Sequence, residues 1–195
     1  MPACTPEDID AILPQTQCGL CGFGGCMPYA EALIFENASL DLCPPGGVPV
    51  LQQLGKLLSK DTAPHEDAMR EKAKPALLAV IRENECIGCT KCIQACPVDA
   101  IIGSAKSMHS VISDECTGCE LCVPACPVDC IDLITDPSEN KSPDIFRARF
   151  LTRENRLAAE RKQKQAKKLP RTNQERKTYL EAALERAEAK KNIST

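Results

Sequence analysis

The chain has 195 residues, a formal net charge of −3, fourteen cysteines, no tryptophan, two tyrosines and four phenylalanines, which excludes a large aromatic core. Its longest apolar run, Ala76 to Ile81, is far short of the ~20 residues a membrane span needs, and Met1 to Thr16 lacks the basic and apolar regions of a signal peptide. Thiols packed this closely without an export signal indicate metal binding in the cytoplasm rather than a secreted disulfide scaffold.

Thr5-Pro6-Glu7-Asp8 predicts a helix start, with threonine as the cap and proline at the first position. Ile9, Ile12 and Leu13 give that helix one apolar face before Pro14. The next segment, TQCGLCGFGGCMPYAEAL, carries Cys18, Cys21 and Cys26, and Cys43 follows in LDLCPPGG. Glycines among these cysteines suit a backbone that must approach a bound group closely. Cys26 opens a predicted helix over Pro28 to Glu36, and Cys43 returns from its far end. The four read as ligands of an iron–sulfur cluster, with zinc or no metal as the alternatives. Val48 to Ser59 predicts a short helix whose Leu51, Leu54, Leu57 and Leu58 pack the lobe. Lys60 to Lys74 is polar and is bounded by Pro75, which predicts a hinge-like linker that lets the N-terminal cluster swing.

The next stretch is an internal repeat. Glu85 to Ile101 reads ECIGCTKCIQACPVDAI and Glu115 to Ile131 reads ECTGCELCVPACPVDCI, and eleven of these seventeen aligned positions are identical. Each carries the run C-x2-C-x2-C-x3-C-P of a bacterial two-cluster ferredoxin, in which the fourth cysteine ligates the other cluster. One ligand set is therefore Cys86, Cys89, Cys92 and Cys126; the second is Cys116, Cys119, Cys122 and Cys96. Three corners of a cubane are reached by one tight loop only when the thiolates are about three residues apart. Zinc is the alternative, although it more often draws on two separated C-x2-C knuckles. Leu77 to Arg82 and Ile131 to Ile134 predict strands, with Ile101 to Ile112 joining the two halves. Cys4 and Cys130 are left over, the first as a bystander thiol and the second as a small buried residue beside a cluster. His65 and His109 show no ligand-like context.

Residues 147 to 191 hold fifteen Lys/Arg against six Glu, so a basic tail follows an acidic body. Ser142-Pro143-Asp144 predicts a helix cap, with the helix running to Lys168. Phe146 and Phe150 fall on one face that pins it to the ferredoxin body. Pro170 interrupts it, and Thr172-x-x-Glu175 predicts a capping box for a second helix with Leu180, Ala183, Leu184 and Ala187 in helical register. A solvated helix is the plain reading of so charged a segment.

The stretch LPQTQCGLCGFGGCMPYAEAL, then CPPGG, then two ferredoxin runs, resembles the B subunit of the Rnf-type electron transport complex over about residues 5 to 135. The resemblance implies three [4Fe–4S] clusters on the twelve cysteines named above. It implies an electron-relay component of a membrane complex that couples electron flow between ferredoxin and NAD to ion transport. Family members usually begin with a transmembrane helix, which the sequence lacks, and the basic tail is a second departure.

The expected fold is α+β. A helical four-cysteine domain occupies residues 1–60 and a linker 61–75. A two-cluster ferredoxin domain follows at 76–136, and a basic helical tail at 142–195. No nucleotide motif or nucleophile–base arrangement appears, so the chain reads as an electron-carrier subunit rather than a catalyst on its own. Its setting is an Rnf-like complex, at the inner face of the membrane through partner subunits, or a free-standing polyferredoxin serving a cytoplasmic enzyme. A nucleic-acid-associated redox protein is the third reading, weakened by a tail without interleaved aromatics.

Overall fold

The computed structural model describes residues 4–138, 141–168 and 173–193. Residues up to Glu154 form one compact unit, and Asn155 onward forms another. The first contains a helical N-terminal lobe, a ferredoxin lobe and the opening turns of a long helix.

In the N-terminal lobe, α1 (Pro6–Asp10) starts at the predicted cap. Thr5 and Asp8 form a reciprocal capping box, so two backbone donors at the helix start are satisfied. The helix is a single turn, and Ile12 and Leu13 follow in tighter turns that still bury Leu13. Then come α2 (Cys26–Phe35), which opens at Cys26 as expected, and α3 (Gly47–Leu58). The apolar stripe of α3 buries Val50, Leu51 and Leu54, while Leu57 turns outward. Those residues close over Ile9, Leu13, Tyr29 and Leu33 to form an aliphatic core.

The expected hinge is corrected. Residues Ala63–Lys72 form helix α4, with Pro64 in its first turn, where a missing N–H costs nothing. Its one apolar anchor, Met69, is 1% exposed and belongs to the lobe's core. Lys72 at its end pairs with Asp41 at 3.2 Å, two residues before Cys43. A helix fixed at both its middle and its end is not a swinging linker.

The ferredoxin lobe begins with β1 (Leu77–Ile81), which pairs antiparallel with β4 (Ile131–Thr135), Ala79 opposite Leu133. Between them lie α5 (Lys91–Ala95) and a second two-stranded pair, β2 (Ile101–Ile102) with β3 (Ser110–Val111). Ile81, Val98, Ile101 and Ile131 are buried, but cysteines supply much of this core.

Helix α6 (Pro143–Lys168) starts where the sequence placed it, and Phe146 is 6% exposed. Its first three turns are a strap rather than a solvated tail. Arg147 Nε donates to Asp10 Oδ2 at 2.6 Å in the N-terminal lobe. Arg149 donates to the carbonyls of Val98 and Asp99 at 2.9 and 3.0 Å, and Arg153 to the carbonyl of Gln94 at 2.6 Å, in the ferredoxin lobe. Phe150 packs on the same lobe. In the second unit, the remainder of α6 is strongly charged and includes an Arg156–Glu160 pair at 3.1 Å. Helix α7 (Asn173–Ile193) exposes Leu180 and Leu184. Pro170 and Thr172 of the expected break and capping box lie outside the described residues. No helix among the described residues is long and apolar enough to cross a membrane.

Candidate iron–sulfur centres

All four N-terminal cysteines line one pocket, together with Leu13, Gly25 and Tyr29. Cys26 enters from the first turn of α2 and Cys43 from the loop before α3. A buried polar relay fixes the Cys26 end. Arg147 holds Asp10, whose carboxylate and carbonyl both accept from Gln15 Nε2, at 2.9 and 2.6 Å. Gln15 Oε1 accepts from Gln17 Nε2 at 2.8 Å, and Gln17 Oε1 accepts from the Cys26 backbone N–H at 3.0 Å. Each member is satisfied by the next, which is what a buried polar network requires to be rigid.

In the ferredoxin lobe, Cys86, Cys89, Cys92 and Cys126 line a second pocket. The fourth cysteine of the second repeat thus shares a pocket with the first three of the first repeat. Cys96, Cys116 and Cys122 are buried, and Cys96 and Cys116 both act electrostatically on Cys119 and Cys122. The repeat is visible in the backbone as well. Gly88 and Gly118, Thr90 and Glu120, Asp99 and Asp129 all have positive φ, at the same thirty-residue offset. Non-glycine residues rarely adopt this conformation, so the loop shape is imposed on them by the turns around the cysteines. Gly118 has a further reason, since a Cβ there would lie 2.3 Å from the Leu77 carbonyl.

Burial pushes the Cys26 and Cys122 thiols up to about 12, and those of Cys43 and Cys119 up to about 11, with neighbouring thiolates adding to the effect. Groups of buried thiols that oppose one another's ionisation become thiolates together only when a cationic centre compensates them. Four thiols around one pocket suit a centre with several metal corners. The donor sets therefore fit [4Fe–4S] clusters, which supply one-electron oxidation and reduction.

Two residues gain a place that the sequence left open or missed. Cys130 is 2% exposed, and its Sγ lies 3.5 Å from that of Cys126. Burial alone would raise the Cys126 thiol, but the Cys130 backbone N–H donates to it, and that donor with others nearby holds it below its ordinary value. Burial and the neighbouring Cys126 push Cys130 up to about 12. His109, to which the sequence gave no role, is 1% exposed, with Nδ1 3.2 Å from Cys92 Sγ. The repeat offset, applied to positions outside the seventeen aligned residues, was the signal available for it. Cys4 remains partly exposed beside α1, with its Sγ directed at the Thr5 carbonyl at 3.7 Å.

Paired antiparallel strands carrying interleaved cysteine loops define an iron–sulfur electron-transfer protein. Residues 79–133 match the family model for a 4Fe-4S dicluster domain, and residues 13–45 match that for a putative Fe-S cluster. The chain is 53% identical over 141 residues to the B subunit of the ion-translocating oxidoreductase complex from Salmonella paratyphi B, covering 72% of each chain. The corresponding proteins from Salmonella newport and Salmonella enteritidis match equally well, again at 53% identity over 72% of each chain. This chain belongs to the family of B subunits of ion-translocating oxidoreductase complexes.

Proposed function

We propose that the chain relays electrons through three [4Fe–4S] clusters as the B subunit of a membrane-bound ion-translocating oxidoreductase complex. Cys18, Cys21, Cys26 and Cys43 hold the first cluster. Cys96, Cys116, Cys119 and Cys122 hold a second, and Cys86, Cys89, Cys92 and Cys126 a third. The observation that carries the relay is the junction between lobes. Thr117 Oγ1 donates to the Thr16 carbonyl at 3.0 Å, one residue after Cys116 and two before Cys18. Cys18 and Cys116 also line the same cleft. A short path of covalent bonds and one hydrogen bond thus links the N-terminal centre to the Cys116 centre. The Cys86 centre is then the far end of the series.

The protein's own part is positional. Asp10, Gln15 and Gln17 hold the Cys26 end, and Lys141 donates to the Cys116 carbonyl at 2.9 Å while pairing with the buried Asp136 at 2.5 Å. The domain division this implies is a four-cysteine lobe, a ferredoxin lobe, and a strap continuing into the basic segment. Other subunits of the complex hold the chain at the inner membrane face. The strongly basic residues from Asn155 onward are the surface offered to them or to anionic lipid.

Iron and acid-labile sulfide in anaerobically isolated protein test the cluster content. About twelve irons per chain are expected at four per cubane. A value near eight removes the N-terminal cluster, and zinc without sulfide overturns the assignment entirely. An anaerobic pull-down from native cells, with the full chain and a version ending at Glu154, tests the setting. Membrane redox subunits should co-purify with the full chain and be lost on truncation. A soluble oxidoreductase captured instead would make the chain an independent carrier.

A further inference from the structure

The two halves of the ferredoxin lobe are related by thirty residues, so every side chain near one cluster has a counterpart near the other. Cys92 corresponds to Cys122. Applied to the strand before each cysteine run, the same offset relates His109 to Ala79. Strand register makes the correspondence structural. Ala79 stands opposite Leu133 in the β1–β4 pair. The β2–β3 pair sets Ile101 opposite Val111 and Ile102 opposite Ser110, so its next step sets His109 opposite Gly103. Gly103 is itself the thirty-residue counterpart of Leu133.

The two positions have exchanged size. One half has a small residue on the preceding strand and a large one opposite; the other has the large imidazole facing glycine. The exchange is obligatory, because Gly103 has φ +146° and a Cβ there would lie 2.4 Å from His109 Cδ2. The ring is 1% exposed, with Nδ1 3.2 Å from Cys92 Sγ, and Nε2 has no hydrogen-bond partner among the described residues. An orphaned buried nitrogen is destabilising, so packing alone gives no reason for an imidazole here. A thiolate bound to iron accepts hydrogen bonds and donates none, which puts the ring proton on Nδ1. In the other half, the offset puts Ala79, whose methyl group donates no hydrogen bond, in the place of His109.

We infer that His109 is a positioning residue that sets the Cys86–Cys89–Cys92–Cys126 cluster at a higher reduction potential than its repeat-related partner, by donating an N–H to the Cys92 thiolate. A hydrogen bond to a ligand sulfur withdraws electron density and favours the more negative, reduced cluster. The far cluster of the series is then the electron sink of the pair. The inference rests on the assignment of Cys92 as a ligand.

The test uses the full, cluster-loaded chain and its His109→Phe and His109→Asn variants, in redox titrations followed by electron paramagnetic resonance. In His109→Phe one midpoint should move to a more negative potential while the others stay, with iron content unchanged. His109→Asn, which retains an N–H donor, should restore part of the shift. Labelling histidine with nitrogen-15 adds a readout free of substitution: pulsed resonance on the reduced protein should detect nitrogen coupled to a single cluster. Unchanged midpoints at full iron content, or no nitrogen coupling in the unsubstituted protein, overturn the inference. So does loss of one cluster's iron in both variants, which would make His109 a packing residue. The ligand assignment fails separately, if Cys92→Ala retains full iron.

Discussion

The two lobes solve the same problem with different materials. Of twelve buried apolar residues in the N-terminal core, two are cysteines, and the rest include Ile9, Leu13, Leu33, Leu51, Leu54 and Met69. In the ferredoxin core five of twelve are cysteines, and the strands β2 and β3 are two residues each. The N-terminal lobe is thus a hydrocarbon core with a four-cysteine pocket at its edge. The ferredoxin lobe is a set of cysteine loops with a little hydrocarbon around them. Cluster dependence of folding is a property of a lobe's buried inventory and is not uniform along one chain.

The most severe way to break this comparison is to remove the clusters by anaerobic chelation. Amide-exchange protection should disappear from β1 and β4 while persisting in α2 and α3. Equal loss in both lobes would show that the N-terminal hydrocarbon core is not self-sufficient. Next in size, Cys43→Ala should remove roughly four irons per chain. The ferredoxin signals should remain, whereas Cys96→Ala should disturb both clusters of its lobe, since in the proposed ligand sets Cys96 serves one cluster from the run that holds the other. Leu54 is fully buried, and Leu54→Ala should cost about 4 kcal/mol in anaerobic denaturation, confined to the N-terminal transition.

Arg147→Ala tests what joins the lobes. It strands the buried Asp10 carboxylate with Gln15 as its remaining donor, and about 3 kcal/mol should be lost. The smallest effect is expected for Thr117→Val, about 1 kcal/mol of stability for one hydrogen bond. It should also slow electron exchange between the N-terminal cluster and the ferredoxin pair in flash-reduction kinetics. Unchanged exchange would remove the Thr16–Thr117 contact from the path.

What the sequence revealed follows from where its signals are local. Cysteine spacing is local, so both ferredoxin runs could be read directly, and the family match over residues 79–133 agrees with them. The caps at Thr5 and Ser142 and the leucine stripe of α3 were similarly explicit, because each is decided within one or two turns. Helix α4 was missed for a physical reason. Nine of its ten residues lie outside the core, Met69 alone carries the burial, and Pro64 reads as a breaker unless its place in the first turn is known. The strap was half legible. Phe146 and Phe150 marked the face, but arginines that reach carbonyls fifty or more positions away look identical to solvated arginines in a sequence. His109 escaped because its meaning lies in a comparison between repeats, not in its neighbours.

The strap also imposes an order on biogenesis. A chain leaves the ribosome from its N-terminus, so Asp10 and the whole cysteine repeat emerge well before Arg147, Arg149 and Arg153 are made. Until then neither lobe has its clamp. Synthesis of α6 ends that interval by supplying the arginines that fasten both lobes.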